Sequence, residues 1–284
     1  MTTRTITAET LGPITIDATL LGCGGLITVR AEFGGEYASI TIETADETGP
    51  SAEAIRAATL RHSGSGLYAR VEGTNAGGGA VSMVASGNRG AVVQIGGTVT
   101  GSVTGMTISG RDVVINGHRI SGDDGMTVVQ GSSPVRITAV VPEGSSVLGR
   151  TQSAGIEVAG VIESVTAATQ SGDVHIGQAT RINTKTQSGD IRLDRTDVAQ
   201  AISMSGDITI ADFGGTAQLK TMSGDIHVHA TTSGDITATT MSGDIDITTA
   251  HDGIGADLNM QTTTMTGHIH TPQPHNPDNP QRRR

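Results

Sequence analysis

The sequence predicts an all-β chain: a narrow three-sided parallel β-solenoid (β-helix) preceded by a small N-terminal β domain. Three observations lead there. A Ser-Gly-Asp-Ile/Val unit recurs at steps of 17 or 18 residues, apolar and polar residues alternate at the strand period of two, and aromatics make up only 1% of the chain. With 40 Gly, 2 Phe, 2 Tyr and 0 Trp in 284 residues, any core must be thin and built from Ile, Val, Leu, Ala and Thr.

Residues 1–75 read as paired strands at Ile14-Thr15-Ile16, Leu26–Val29 and Ala38–Ile42, with Gly-rich turns between them. Pro50-Ser51-Ala52-Glu53 starts a short helical turn, and a hairpin around Ser63-Gly64-Ser65-Gly66 leads into Leu67–Val71. This stretch is expected to be a β-sandwich-like or coil-initiating domain. Residues 76–133 form a Gly-rich irregular β segment of looser coils or hairpins, with Gly77-Gly78-Gly79 as a flexible tip and Asp112–Gly117 within it. Val135–Val141, bounded by Pro134 and Pro142, is a strand entering the repeats of residues 134–270. The Pro-rich tail of residues 271–284, ending in Arg282-Arg283-Arg284, is expected to be disordered.

The repeats begin with a degenerate Ser153-Ala154-Gly155-Ile156 and continue from Ser171, Ser188, Ser205 and Ser223. The next step, to Ser242, is 19 residues and contains an extra motif at Ser233; a degenerate Thr266-Gly267-His268-Ile269 closes the series. Three residues after each motif start lies an Ile/Val column (Ile156, Val174, Ile191, Ile208, Ile226, Ile245, Ile269), and two further on a second one (Val158, Ile176, Leu193, Ile210, Val228, Ile247). Seventeen residues supply roughly three sides of five to six residues at about 3.3 Å each, one turn of a slim solenoid with windings about 4.8 Å apart. An antiparallel meander could use the same turns, but identical residues in columns are what same-register stacking rewards. Gly is expected to supply a positive φ at the corner, and Asp to accept backbone N–H groups in an Asx-type turn.

Three columns bear on function. Stacking Asp173, Asp190, Asp207, Asp225 and Asp244 costs about 1 kcal/mol per pair even in water. Calcium would relieve this, yet the GGxGxD pattern of calcium solenoids is missing, which leaves turn capping. Thr151, Thr169, Thr186, Ser203, Thr221, Thr240 and Thr264 point inward by alternation, where stacked hydroxyls would hydrogen-bond one another. The residue before the motif changes from Gln152, Gln170 and Gln187 to Met204, Met222, Met241 and Met265. Facing outward, these methionines form an apolar interaction stripe; facing inward, they are core.

A formal net charge of −10 and no Lys/Arg run before the last three residues argue against nucleic-acid binding. Neither lysine, Lys185 or Lys220, follows a glycine, so there is no P-loop; HExxH and GxSxG are also missing. One cysteine, Cys23, precludes an internal disulfide or a CxxC knuckle. Leu20-Leu21-Gly22-Cys23 is similar to a lipoprotein cleavage box, but Glu9 and Asp17 interrupt the segment before it, favouring a buried thiol beside a Gly-rich turn. No run of about 18 apolar residues forms a membrane helix. The expected location is cytoplasmic, with surface or virion association as the other outcome.

From Val135 onward, the strand, Val141-Pro142-Glu143-Gly144-Ser145-Ser146 and the serial Ser-Gly-Asp-Ile units resemble a bacterial family of candidate adhesins with β-strand repeats and no assigned function. The front part, with Ala38–Thr44 and a Gly-Leu-hydrophobic strand, is similar to actinobacterial members. The resemblance implies a β-solenoid with a surface-associated or scaffold role and supplies no catalytic residues.

The expected function is therefore a non-enzymatic structural or interaction module, adhesin-like and self-associating, with a protein partner or a second copy and no cofactor. The alternative is a glycan-binding or glycan-cleaving β-helix protein such as a phage tail component, with Glu157, Asp246 or the Asp column as carboxylates. Against it, Phe213 is the only Phe, Tyr or Trp after Tyr68 on which a sugar could stack. Metal binding by His227/His229 or His268/His270, spaced i,i+2 on one strand face, is a third possibility.

Overall fold

The computed structural model describes residues 1–9, 12–73, 106–109, 112–115, 118–121, 133–250 and 258–272. The Gly77–Gly79 tip, Asn116-Gly117 and the tail from residue 273, including Arg282–Arg284, lie outside the described residues. The N-terminal segment contains β1 (Thr2–Glu9), β2 (Thr15–Leu21), β3 (Gly25–Glu32), β4 (Tyr37–Thr44), α1 (Pro50–Ala57), β5 (Thr59–Ser63) and β6 (Gly66–Glu72). Strands β7 (Met106–Ser109), β8 (Asp112–Ile115) and β9 (His118–Ser121) form a three-stranded antiparallel sheet. The repeats begin with β10 (Val135–Pro142), β11 (Ser146–Thr151), β12 (Gly155–Ala168), β13 (Val174–Lys185), β14 (Ile191–Ile202) and β15 (Ile208–Lys220). They end with β16 (Ile226–Ala230), β17 (Gly234–Thr239), β18 (Ile245–Thr249), β19 (Leu258–Thr263) and β20 (Ile269–His270).

Successive repeats pair in parallel and in register. β13 and β14 are laddered over Val174–Ile176, Gln178–Ala179 and Arg181–Lys185, three paired stretches that recur between β12 and β13 and between β14 and β15, whereas the following copies pair in two, β16 with β18 and β17 with β19. Two long walls result. On one, the pairing order is β1, β4, β10, β3, the start of β12, the starts of β13 to β15, then β16, β18 and β20. On the other it is β5, β6, β2, β11, the ends of β12 to β15, β17 and β19. Among the described residues, antiparallel pairing within this sheet is confined to β1–β4, β4–β10 and β5–β6.

The strands expected to pair within residues 1–75 do so only in part. β2 and β3 go to different walls, because Gly22-Cys23-Gly24 makes a corner, with Gly22 at φ 69°. The corner's flanking carbonyls are taken by neighbouring windings: Gly73 N–H donates to Leu21 O (2.7 Å) and Val135 N–H to Gly24 O (3.0 Å). β3 thus lies between β10 and β12, and β2 between β6 and β11. The windings do not stack in chain order at this end.

Inward side chains form files through the windings. Ile137, Ile27, Ile156, Val174, Ile191, Ile208, Ile226 and Ile245 are all buried, and Ile269 in the last copy is 44% exposed because no described strand covers it. Burying each such side chain is worth about 1.5–3 kcal/mol, and because the burial is against the windings above and below, each winding gains its stability chiefly from its neighbours. Phe213, the one large ring inside the repeats, sits in a file between Thr196 and Ala230, small residues that leave it room. Helix α1 follows Gly49 (φ 94°) and buries Ala52 and Ile55; the Arg4 guanidinium donates to carbonyls at its C-terminal end, including those of Ile55 (3.2 Å) and Arg56 (3.1 Å). Asp46 ties this segment to the start of the repeats, accepting from Ser133 Oγ (2.6 Å) and Ser133 N–H (2.7 Å), bonds that hold its carboxyl below the usual range. Cys23 is buried, which pushes its thiol pKa up.

Candidate interaction surface

The Ser-Gly-Asp corners build one vertical edge of the stack. Their backbone is laddered from winding to winding: Ser188 N–H donates to Gln170 O, Ser205 to Gln187, Ser223 to Met204 and Ser242 to Met222, at 2.9–3.0 Å. Extended alternation then places Thr or Ser inside and the residue between it and the motif serine outside.

Glycine at the corner is required by crowding between windings. A Cβ on Gly189, Gly206, Gly224 or Gly243 would stand 2.7 Å from the carbonyl carbon of the corner glycine beneath and closer still to its oxygen. The expected positive φ holds only for Gly243 (153°) and Gly267 (148°). In the other copies the absence of a side chain, rather than a left-handed backbone, is what the corner uses.

The aspartates also work between windings. Each Oδ1 accepts the backbone N–H of the next corner: Asp173 from Asp190 (3.0 Å), Asp190 from Asp207 (3.0 Å), Asp207 from Asp225 (2.8 Å) and Asp225 from Asp244 (2.7 Å). His268 takes the last place, donating its N–H to Asp244 Oδ1 at 2.7 Å, and this bond is the main reason the Asp244 carboxyl is held below its ordinary value. Charge-assisted N–H donation offsets the like-charge stacking without a cation. The inward hydroxyls differ from expectation too. Only Thr151 and Thr169 bond each other (3.0 Å); Thr221, Thr240 and Thr264 donate to the carbonyls of Gly206, Gly224 and Gly243 at 3.1–3.2 Å. The crowded corner puts a carbonyl nearer than the next hydroxyl.

Against this laddered backbone the methionines project outward. Met204, Met222, Met241 and Met265 are 48%, 42%, 45% and 74% exposed. Two residues before Met222 lies exposed Lys220, and two before Gln187 lies exposed Lys185; neither has an ion-pair partner among the described residues. The aspartate ladder runs along the other flank. The edge is thus an apolar file between an acidic column and a side that carries both lysines. The sequence reading found the methionines but not their charged borders, because the lysines are isolated in the chain and come beside the corner only through the winding.

The extra Ser233-Gly234-Asp235 motif does not join this edge. It starts β17 on the other wall, where Asp235 pairs with Thr216 and accepts from Asn259 Nδ2 (3.0 Å). A shallow groove of about 560 Å³ lies at a different bend, lined by Arg30, Glu157, His175, Gln178, Asp194 and Arg195 among others; His175 Nε2 is 3.2 Å from both Asp194 oxygens. Of the histidines weighed as metal ligands, His227 is 4.0 Å from Asp246, His229 bonds Thr248 Oγ1 (2.9 Å), His268 is 3.5 Å from Asp244, and His270 lies in register with Asp246. Among the described residues, no three His, Cys, Asp or Glu side chains converge to hold a metal ion. Among the described residues, no helix is long and apolar enough to cross a membrane.

The family model described as Toastrack DUF4097 matches residues 92–284, well over half of the chain. A search of the curated proteins found no match. Among solved structures, a candidate adhesin from Bacteroides fragilis is similar at 15% identity, covering 94% of this chain and 96% of its own, with a TM-score of 0.41. A candidate cell adhesion protein from Clostridium sporogenes is 7% identical over 87% of this chain and 98% of its own, with a TM-score of 0.36. A candidate lipid binding protein from Parabacteroides distasonis is 11% identical over 95% and 97%, with a TM-score of 0.37.

Proposed function

The chain belongs to the Toastrack DUF4097 family, and from that membership and its exposed corner we propose a non-enzymatic, adhesin-like scaffold. In this reading the windings form a narrow three-sided parallel β-solenoid, residues 1–75 initiate the stack, residues 134–270 extend it, and the methionine corner docks a protein. One observation carries the reading. Four methionines stand 42–74% exposed in a single file, on an edge whose backbone hydrogen bonds are already used between windings. An unbranched, polarisable side chain on a stiff support suits a surface that adapts to its partner.

Oxidative footprinting tests this. Methionines of the dilute protein should be labelled fully, and those of the protein at high concentration, or in a cell extract, should be protected relative to exposed residues such as Phe33. Equal labelling of Met204, Met222 and Met241 under all three conditions refutes docking at this corner.

A second reading, a glycan-binding or glycan-cleaving protein, is favoured by the groove of Arg30, Glu157, His175 and Asp194, which offers charged and hydrogen-bonding groups to hydroxyls. Against it, its lining includes no aromatic ring of Phe, Tyr or Trp. Reducing-end release on a glycan panel, abolished by Glu157→Gln, would favour this reading over a non-enzymatic one.

A further inference from the structure

Resting on the methionine corner as a docking surface, we propose that its partner is a second copy of this chain, lying alongside and pointing the same way along the stack. The argument is charge complementarity across a two-fold axis. Each copy carries the methionine file with the aspartate ladder on one flank and Lys185 and Lys220 on the other. If the axis runs parallel to the file, every level meets its own level and the flanks exchange sides. Lys220 of one copy then faces Asp225 of the other, and Lys185 faces Asp190, whose Oδ2 also lies 4.0 Å from Arg192 of its own chain; each pair occurs twice by symmetry, and Lys220–Asp225 is the stronger of the two. If the axis runs across the file, the copies are antiparallel and each flank meets its like, with Asp225 against Asp244. The parallel arrangement gives both lysines a carboxylate, and the antiparallel one opposes carboxylates.

The geometry also sets the register. Winding levels are about 4.8 Å apart, so Met204 and Met265, three levels apart, are separated by about 14 Å along the edge. In the parallel pair Met204 touches Met204. In the antiparallel pair, centred between Met222 and Met241, Met204 meets Met265. The exposed methionine area is modest for an interface, so the pair should be in reversible equilibrium with the monomer.

Single-cysteine variants of the full chain decide between these outcomes. Met204→Cys and Met265→Cys are made separately, with the wild-type chain and its buried Cys23 as control, and treated with a short bifunctional maleimide. The expected result is a covalent dimer from each variant alone, in both cases more than from wild type, with no gain on mixing the two. Crosslinking only in the mixture overturns the parallel arrangement. Light scattering should show a concentration-dependent dimer whose dissociation constant rises about tenfold in Lys220→Glu, where two flank pairs are reversed; an unchanged constant overturns the flank pairing. If the purified chain remains monomeric and uncrosslinked while its methionines are protected in extract, the corner docks something else and only the second copy is refuted. If they are protected nowhere, both readings fall.

Discussion

Replacing Gly206 by Ala tests the corner architecture most directly. The new Cβ would stand 2.7 Å from the Gly189 carbonyl carbon, where ordinary contacts are 3.4 Å or longer, so the windings must separate by at least 0.7 Å at this point. Three bonds span the same gap: Ser205 N–H to Gln187 O (2.9 Å), Ile191 N–H to Asp207 O (2.9 Å) and Asp207 N–H to Asp190 Oδ1 (3.0 Å). A stretch of that size takes each beyond 3.5 Å, outside the range of a useful hydrogen bond. At about 1 kcal/mol apiece, the loss is about 3 kcal/mol, and because stacked repeats depend on their neighbours the damage should spread to both adjoining windings. Urea unfolding should show a lower midpoint, and hydrogen exchange should show lost protection centred on residues 188–225. Gly12→Ala is the control: its Cβ meets nothing within 4 Å, so it should stay within about 0.5 kcal/mol of wild type. Wild-type stability in Gly206→Ala would refute the claim that contact between windings, and not turn geometry, places glycine there.

Three further outcomes follow from the core and the ladder. Thr184 is fully buried with its Oγ1 unpartnered, so Thr184→Val should stabilise the protein by about 1 kcal/mol, and calorimetry showing a lower Tm would contradict this. Phe213→Ala should cost about 3–5 kcal/mol, since Thr196 and Ala230 are too small to fill the space; a change under about 1 kcal/mol in denaturant titration would mean the ring is not part of the core. Asp244, whose carboxyl pKa is lowered by the His268 N–H, stabilises the last winding fully above the unfolded value of about 4, and this contribution is lost as pH falls through the lower folded value. Protection of the His268 amide, taken as its exchange rate relative to an unstructured amide at the same pH, should therefore fall on acidification in wild type and less so in Asp244→Asn, which keeps an acceptor oxygen; superimposable protection profiles would refute the coupling.

Where the chain repeats itself, the stacking was legible. The Ile/Val columns need no tertiary information, because Val174, Ile191 and Ile208 recur at one spacing and same-register neighbours are then adjacent by construction. Outward projection of the methionines is not legible in the sequence, since alternation cannot say how a corner bends until the Thr/Ser file beside it is seen to be buried. For Gly and Asp the sequence speaks one winding too locally: turn chemistry places both roles within a single corner, whereas Gly206 makes room for Gly189 and Asp190 holds the N–H of Asp207.

Composition, periodicity and the spacing of the Ser-Gly-Asp units by themselves determined a mostly β chain with a thin aliphatic interior, its repeats and its methionine column. Tertiary structure alone decided that Ile27 lies between Ile137 and Ile156, that the motif at Ser233 serves the opposite wall, and that lysines and aspartates border the methionines. The reason is one of distance along the chain. Periodic contacts between successive windings are encoded at a constant offset, while strands β2 and β3 join the repeats across more than a hundred residues, chosen by which edges remain unpaired and which apolar files remain uncovered.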